Sequence, residues 1–221
     1  MSMDKMIPLM LGGIKDTLYM TTVSTLFAYL LGLPIAILLV LTAPSGLKPQ
    51  KLVYRLLDMI VNIFRSIPFL ILMILVIPVT RAIAGKAYGS TATIVPLVIA
   101  AAPYVARMIE SSLLEVDPGV IEAAQSMGAN IPTIIFKVLI PEAKTSLIVG
   151  ATISCGTILG YSAMSGAIGG GGLGQIAISS GYNRYQTDVL FVTVALLIVL
   201  MQVIQIVGMK ISRKTDKRVR N

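Results

Sequence analysis

Three features of this chain could do chemistry: a thiol, a run of glycines and a set of carboxylates. The thiol is Cys155, alone and inside an apolar stretch. It has no intrachain disulfide partner, and its surroundings fit a small packed side chain. Histidine is absent, which removes the usual general base and the commonest zinc ligand. Gly169 to Gly174 satisfies G-x-G-x-x-G by count and has the glycine spacing of a phosphate loop. Gln175 and Ile176 stand where such a loop needs Lys and then Ser or Thr, so no side chain would reach the phosphates or the magnesium. A glycine-rich turn closing an apolar segment is the better reading. Asp16, Asp58 and Glu110 lie at the ends of apolar runs. Arg107 and Glu110 are three residues apart, the spacing of an ion pair on a helix surface. Glu115, Asp117, Glu122 and Glu142 gather in one polar stretch. No nucleophile–base pair and no metal-binding spacing emerges, so a membrane enzyme is disfavoured.

The elements that must position these groups are apolar. Of the 221 residues, 56% are hydrophobic and 13% charged, against about a quarter charged in a soluble domain. That is too little polar surface to coat a water-soluble globule, so lipid is the solvent for most of the chain. The net charge of +8 does not mark a nucleic-acid partner, because the basic residues are not interleaved with aromatics. They cluster beside apolar runs, as membrane-flanking residues do.

The expected fold is all-α, a polytopic bundle of five transmembrane helices at about 18–41, 59–79, 90–110, 146–168 and 189–209. A span needs about 20 residues of helix. The first run is too long for a signal-peptide core and has no A-x-A-like cleavage site; Pro34 could kink it. The second reaches membrane length only by taking in Arg65. An arginine at mid-bilayer costs about 2.5–3.5 kcal/mol, so Arg65 should lie near the surface or inside protein. Pro96 and Pro103 fall in the third. Gly156 and Gly160 in the fourth have the G-x-x-x-G spacing that lets helix backbones approach. Gln202 and Gln205 share a face of the fifth and should turn toward protein. The basic tail at 212–221, with Arg213, Lys214, Lys217, Arg218 and Arg220, is expected in the cytoplasm by the positive-inside rule. Five spans then put the N-terminus and the 169–188 loop outside, and the loop with Lys48, Lys51 and Arg55 inside.

By the same alternation, the segment at 117–141 is cytoplasmic. Asp117 followed by Pro118 is a helix start, and Gly128 is a stop. Val120, Ile121, Ala124 and Met127 share one face at helical spacing, with Glu122, Gln125 and Ser126 on the other. Asn130 can cap a second short helix through Thr133 and Phe136, which Pro141 interrupts. An amphipathic helix lying passively on the membrane would fit this pattern as well.

The residues of this segment nevertheless resemble a known signature. Glu122-Ala123-Ala124, then Gly128, then Pro141, matches the E-A-A loop of ATP-binding-cassette (ABC) importer permeases; Val138 and Ile140 depart from it conservatively. Further stretches are similar to methionine-uptake permeases: Asn62 to Phe69, Ala101 to Met108, Gly160 to Gly166 and Gly169 to Gln175. The resemblance covers about residues 13–211. It implies a type I importer permease of the bacterial cytoplasmic (inner) membrane. Its substrate would be methionine, L and D, or another small sulfur-containing or polar amino acid. It also implies a homodimer, two cytoplasmic ATPase subunits and an extracytoplasmic substrate-binding lipoprotein. This chain would bind no cofactor, since ATP and Mg would sit on the ATPase. Glu122, Ala123, Ala124, Gly128 and Pro141 would couple the permease to that ATPase, and Tyr161 and Met164 would lie on the translocation path or its gate. A secondary transporter would want intramembrane carboxylates for ion coupling, and five spans cannot divide into two equal repeats.

Overall fold

The computed structural model describes residues 3–216; Lys217, Arg218 and Arg220 lie outside them. Every regular element among the described residues is helical. Helix α1 (Met3–Thr42) runs unbroken through Pro34, so the proline does not end it; neighbouring helices and side chains commonly satisfy the backbone groups that proline frees in a membrane helix. A tight turn follows α1, in which the carbonyls of Leu41 and Thr42 accept from the N–H groups of Lys48 and Gln50 at 2.9 and 3.0 Å.

The second expected span is not one straight helix. Helix α2 (Lys51–Ser66) and helix α3 (Phe69–Leu75) are bent by 103° at the Ile67–Pro68 break. Proline disfavours helical backbone at the residue before it, and Pro68 is itself extended at φ −56°, ψ 133°. Leu52, Leu56, Met59, Ile60 and Ile63 form an exposed apolar stripe on α2, whereas Val61 is its buried residue. Arg65 is exposed in its last turn. Helix α4 (Ile77–Ala84) ends at Gly85, whose φ of 72° is left-handed.

Helix α5 (Ser90–Leu114) is continuous through both of its prolines. Helix α6 (Pro118–Ser126) and helix α7 (Ile131–Thr133) follow, then a π-helical turn at Ile134–Leu139 and helix α8 (Ile140–Glu142). Helix α9 (Lys144–Ser165), a 3₁₀ turn at Gly166–Ile168, helix α10 (Gly172–Ile176), a second π turn at Ala177–Tyr182 and helix α11 (Thr187–Thr215) complete the chain. Among the described residues, four helical stretches can cross a membrane by length and composition, or five if α2 and α3 count as one broken span.

The chain divides into two compact units. The first takes α1 through Ala28, then Ile67–Ala101 and Cys155–Gln205. One apolar cluster in it is Met10, Leu173, Ile176 and Val189, with Met6, Ile14, Leu196 and Leu200 against it; Met20, Leu72, Leu97 and Ile158 are also fully buried in this unit. The stretch after Ile168, expected as an outer loop, is largely helical and folds back on α9. A Cβ on Gly166 would fall on the backbone of Gly174, and one on Gly174 would fall on that of Ala163. Glycine here permits contact between backbones. The peptide N–H groups of this glycine run are already engaged: Gly171 donates to Gln175 Oε1 at 2.8 Å and Leu173 to Thr17 Oγ1 at 2.9 Å.

The second unit takes Tyr29–Ser66, Ala102–Ser154 and the chain from Ile206 onward. In it, Gly32 of α1 lies against Ala102 and Val105 of α5, Gly150 against Met108, and Gly208 against Thr152. Within the single chain, the small and polar residues expected to face protein are only partly covered. Gly156 does admit a neighbour, the Met201 side chain, but a Cβ on Gly160 would meet nothing within 4 Å. Gln202 and Gln205 are exposed on the chain, because the turn of α11 that packs inward carries Met201 and Ile204 instead.

Candidate functional site

The segment at 117–141 is built as a rigid knob. Asp117 Oδ1 accepts from Gly119 N at 2.7 Å, with Pro118 in the first turn of α6. This is an N-cap that satisfies one of the orphan donors of the helix start. At the other end Gly128 adopts φ 79°. Its N–H donates to Gln125 O at 2.9 Å, and Ala129 N–H donates to Ala124 O at 3.0 Å. The two bonds make a complete Schellman closure, which a left-handed residue allows and glycine allows without strain. Asn130 Oδ1 then accepts from Thr133 N at 3.0 Å, opening α7.

Pro141 does not interrupt the second helix as expected. The chain stays helical from Ile131 to Glu142 because the π turn at 134–139 widens just ahead of the proline. Ile140 N–H reaches back to Ile135 O, so the crowding that proline imposes on the preceding turn of an α-helix is relieved. The break falls at Ala143 instead, between α8 and α9.

Only part of the apolar face of α6 is covered. Ala124 is buried, and α6 packs on the π turn, where Ile134, Ile135 and Leu139 are buried as well. Met127 is 81% exposed, Phe136 64% and Val120 41%. Glu122 and Ala123 are exposed beside them, and Ser126 Oγ donates to Glu122 O at 2.9 Å. Large apolar side chains of the doubly capped helix and of the π turn beside it are thus left uncovered, next to a carboxylate.

Tyr161 and Met164 stand one turn apart on α9, in the first unit. The Tyr161 ring stacks on Phe69, with centroids 4.5 Å apart and planes 3° from parallel. Phe69 opens α3 directly after the Ile67–Pro68 break and is 6% exposed. Met164 is 44% exposed, and the nearby Ser162 and Ser165 hydroxyls are satisfied by backbone carbonyls at 2.7 and 2.6 Å. Sequence reasoning missed Phe69, since a stack between segments so far apart leaves no spacing signal.

A second missed feature lies in the second unit. The Arg107–Glu110 pair is present, Nη1 to Oε2 at 2.8 Å. The other terminal nitrogen, Nη2, donates to Asp58 Oδ1 and, at 3.2 Å, to Asn62 Oδ1 of α2. Among the described residues no group of three or more His, Cys, Asp or Glu side chains could hold a metal ion.

Residues 28–221 match the family model described as the binding-protein-dependent transport system inner membrane component. A probable D-methionine transport system permease protein from Vibrio cholerae is 48% identical over 210 residues, 95% of this chain and 93% of that protein. The methionine import system permease protein of Bacillus subtilis is 48% identical over 82% of each chain. A solved structure described as an inward-facing conformation of the MetNI methionine ABC transporter superposes with a TM-score of 0.96 at 46% identity, covering 98% of this chain and 100% of that one. An amino acid ABC transporter, at 23% identity and a TM-score of 0.79, shares the fold. With the all-helical architecture, the apolar spans and the capped E-A-A segment, these likenesses establish that the chain belongs to the family of binding-protein-dependent transport system inner-membrane components.

Proposed function

We propose that this chain is the pore-forming permease of an ATP-driven importer for methionine, working as a pair of identical copies. Two ATPase subunits on the cytoplasmic side bind ATP and Mg, and an outer-face lipoprotein delivers the amino acid. The N-terminus lies outside and the C-terminus in the cytoplasm. ATP closes the ATPase pair, the α6 knobs move with it, and the bundle switches from inward-open to outward-open.

One observation carries the coupling assignment: α6 is closed by hydrogen bonds at both ends, yet Val120 on it, Met127 at its end and Phe136 on the π turn it packs against are exposed. A rigid helix with an unburied apolar face can transmit a push, and an ATPase groove would bury that face. Glu122, Ala123, Ala124, Gly128 and Pro141 form this unit, with Gly128 closing it and Pro141 tuning its junction to α9. The substrate assignment rests on the methionine-permease relatives. Tyr161 and Met164 are assigned to the outer gate. Met164 shares a face of α9 with Ile153 and Gly160, and that face is open on a single chain.

The test is Gly128→Asp. A Cβ at Gly128 meets nothing within 4 Å, so the first side-chain atom has room inside the chain. Its cost is left-handed backbone strain, about 1–3 kcal/mol, plus whatever it does to a docked partner. The variant should insert normally, lose ATPase co-purification and lose uptake in vesicles. Glu122→Ala should do the same more mildly, since an exposed ion pair is worth about 0–1 kcal/mol. Wild-type ATPase binding together with wild-type uptake in Gly128→Asp would refute the assignment.

A further inference from the structure

We propose that Arg107, Asp58 and Asn62 are positioning residues for transport, forming a clasp through which displacement of α6 is passed to α2. The proposal rests on the coupling role given to α6 above. The geometry begins on α5, whose last turns carry Arg107 and Glu110 and which leads through Glu115–Asp117 directly into α6. A push on α6 therefore acts on α5 along continuous chain. The same end of α5 is tied to α9 by Ser146 Oγ donating to Ser112 Oγ at 3.2 Å, and α6 packs on the π turn that precedes α9.

Helix α2 is different. Its apolar stripe points away from the second unit, and Val61 is the buried residue it contributes. Tyr54, Leu57 and Phe64 are half-buried beside it, and polar ties add direction to that apolar packing. The Arg107 guanidinium supplies them. Glu110, 6% exposed at its side chain, fixes Nη1, and Nη2 is gripped by Asp58 and Asn62, one turn apart on α2. Those two brace each other, Asn62 Nδ2 donating to Asp58 Oδ2 at 3.1 Å. A planar guanidinium held on one edge by α5 and on the other by α2 is a stiff connector, because its fork fixes direction as well as distance. A lysine there could not hold both edges. Asp58 and Arg107 are respectively 33% and 25% exposed at their side chains, enough for water to enter when the clasp is loaded, so it can flex without being buried beyond recovery.

The test uses the complete importer reconstituted in proteoliposomes, with methionine uptake and ATP hydrolysis measured together. The single variants Arg107→Met, Asp58→Arg and Asp58→Asn should retain ATPase co-purification and hydrolyse ATP. Methionine carried per ATP should fall about tenfold in the first two and less in the third, as expected for loss of a charge-assisted link. The reciprocal swap, Asp58→Arg with Arg107→Asp, should recover most of that ratio, because one guanidinium again lies between two carboxylates. A purely structural role would lower the amount of assembled importer and leave methionine per ATP unchanged. An unchanged ratio in the singles, or a swap no better than the worse single, overturns the clasp. Should the larger substitutions fail to assemble, the near-isosteric Asp58→Asn decides alone by the same ratio. Failure of the coupling reading would look different: Gly128→Asp would keep both the ATPase and uptake, whatever the Asp58 variants did.

Discussion

Met164 and Tyr161 illustrate how one turn of helix can give two residues different freedom. Tyr161 is pinned by its parallel stack on Phe69. Met164 projects from the same helix with nearly half its surface uncovered, and methionine's unbranched, polarizable side chain adapts to whatever it meets. If it seals an outer gate, Met164→Ala should raise substrate leak across proteoliposomes that lack ATP while the importer assembles normally. Wild-type leak in an assembled variant would return Met164 to ordinary packing. At this scale the sequence is most legible where chemistry is local. Asp117 and Gly128 could be assigned because a cap and a left-handed stop depend on neighbouring residues. Arg107 with Glu110 could be read from a three-residue spacing. Asp58 and Phe69 could not, because their partners lie 49 and 92 positions away, between segments that only folding brings together.

Among the elements, glycine placement separates contact within the chain from contact with something else. Gly174 and Gly166 allow backbones to touch where the chain folds back after α9, whereas Gly160 faces open space. Gly174→Ala should therefore cost about 1–3 kcal/mol by overpacking and lower the unfolding temperature of the detergent-solubilised permease. Gly160→Ala adds a better helix former by about 1 kcal/mol and should leave that temperature unchanged or raised. If a second copy covers the Gly160 face, the same change should shift the particle from dimer toward monomer on size exclusion; an intact dimer would place the contact between copies elsewhere. The helical elements were largely legible from apolar run length. Their irregularities were not. Pro34, Pro96 and Pro103 look like breakers and are carried through, while Pro68 turns the chain by 103°. Residues 172–182 resembled a loop because glycine reads as a turn signal, and the same smallness serves close helix packing.

For the whole molecule, hydropathy and charge carry the argument. Apolar runs identified the long helices, and the basic residues of the 48–55 loop and of the tail set the proposed orientation. On a Cys155→Ala background, Asn183→Cys should react with an impermeant thiol reagent added outside, and Lys214→Cys only after the inner face is opened. The reverse pattern would invert the topology. Both positions are exposed, so accessibility does not confound the reading. The Arg107–Asp58 link also has a consequence in time. A charged residue entering lipid unpaired costs about 2.5–3.5 kcal/mol at the centre of a helix. Asp58 precedes Arg107 by 49 positions. At about 5–20 residues per second of synthesis, the acid of α2 emerges from the ribosome several seconds before the arginine that needs it. Glu110 follows Arg107 within the same helix and reaches it as soon as one turn has formed. Asp58 is thus already present when Arg107 emerges, so α5 need not enter the bilayer carrying a bare cation.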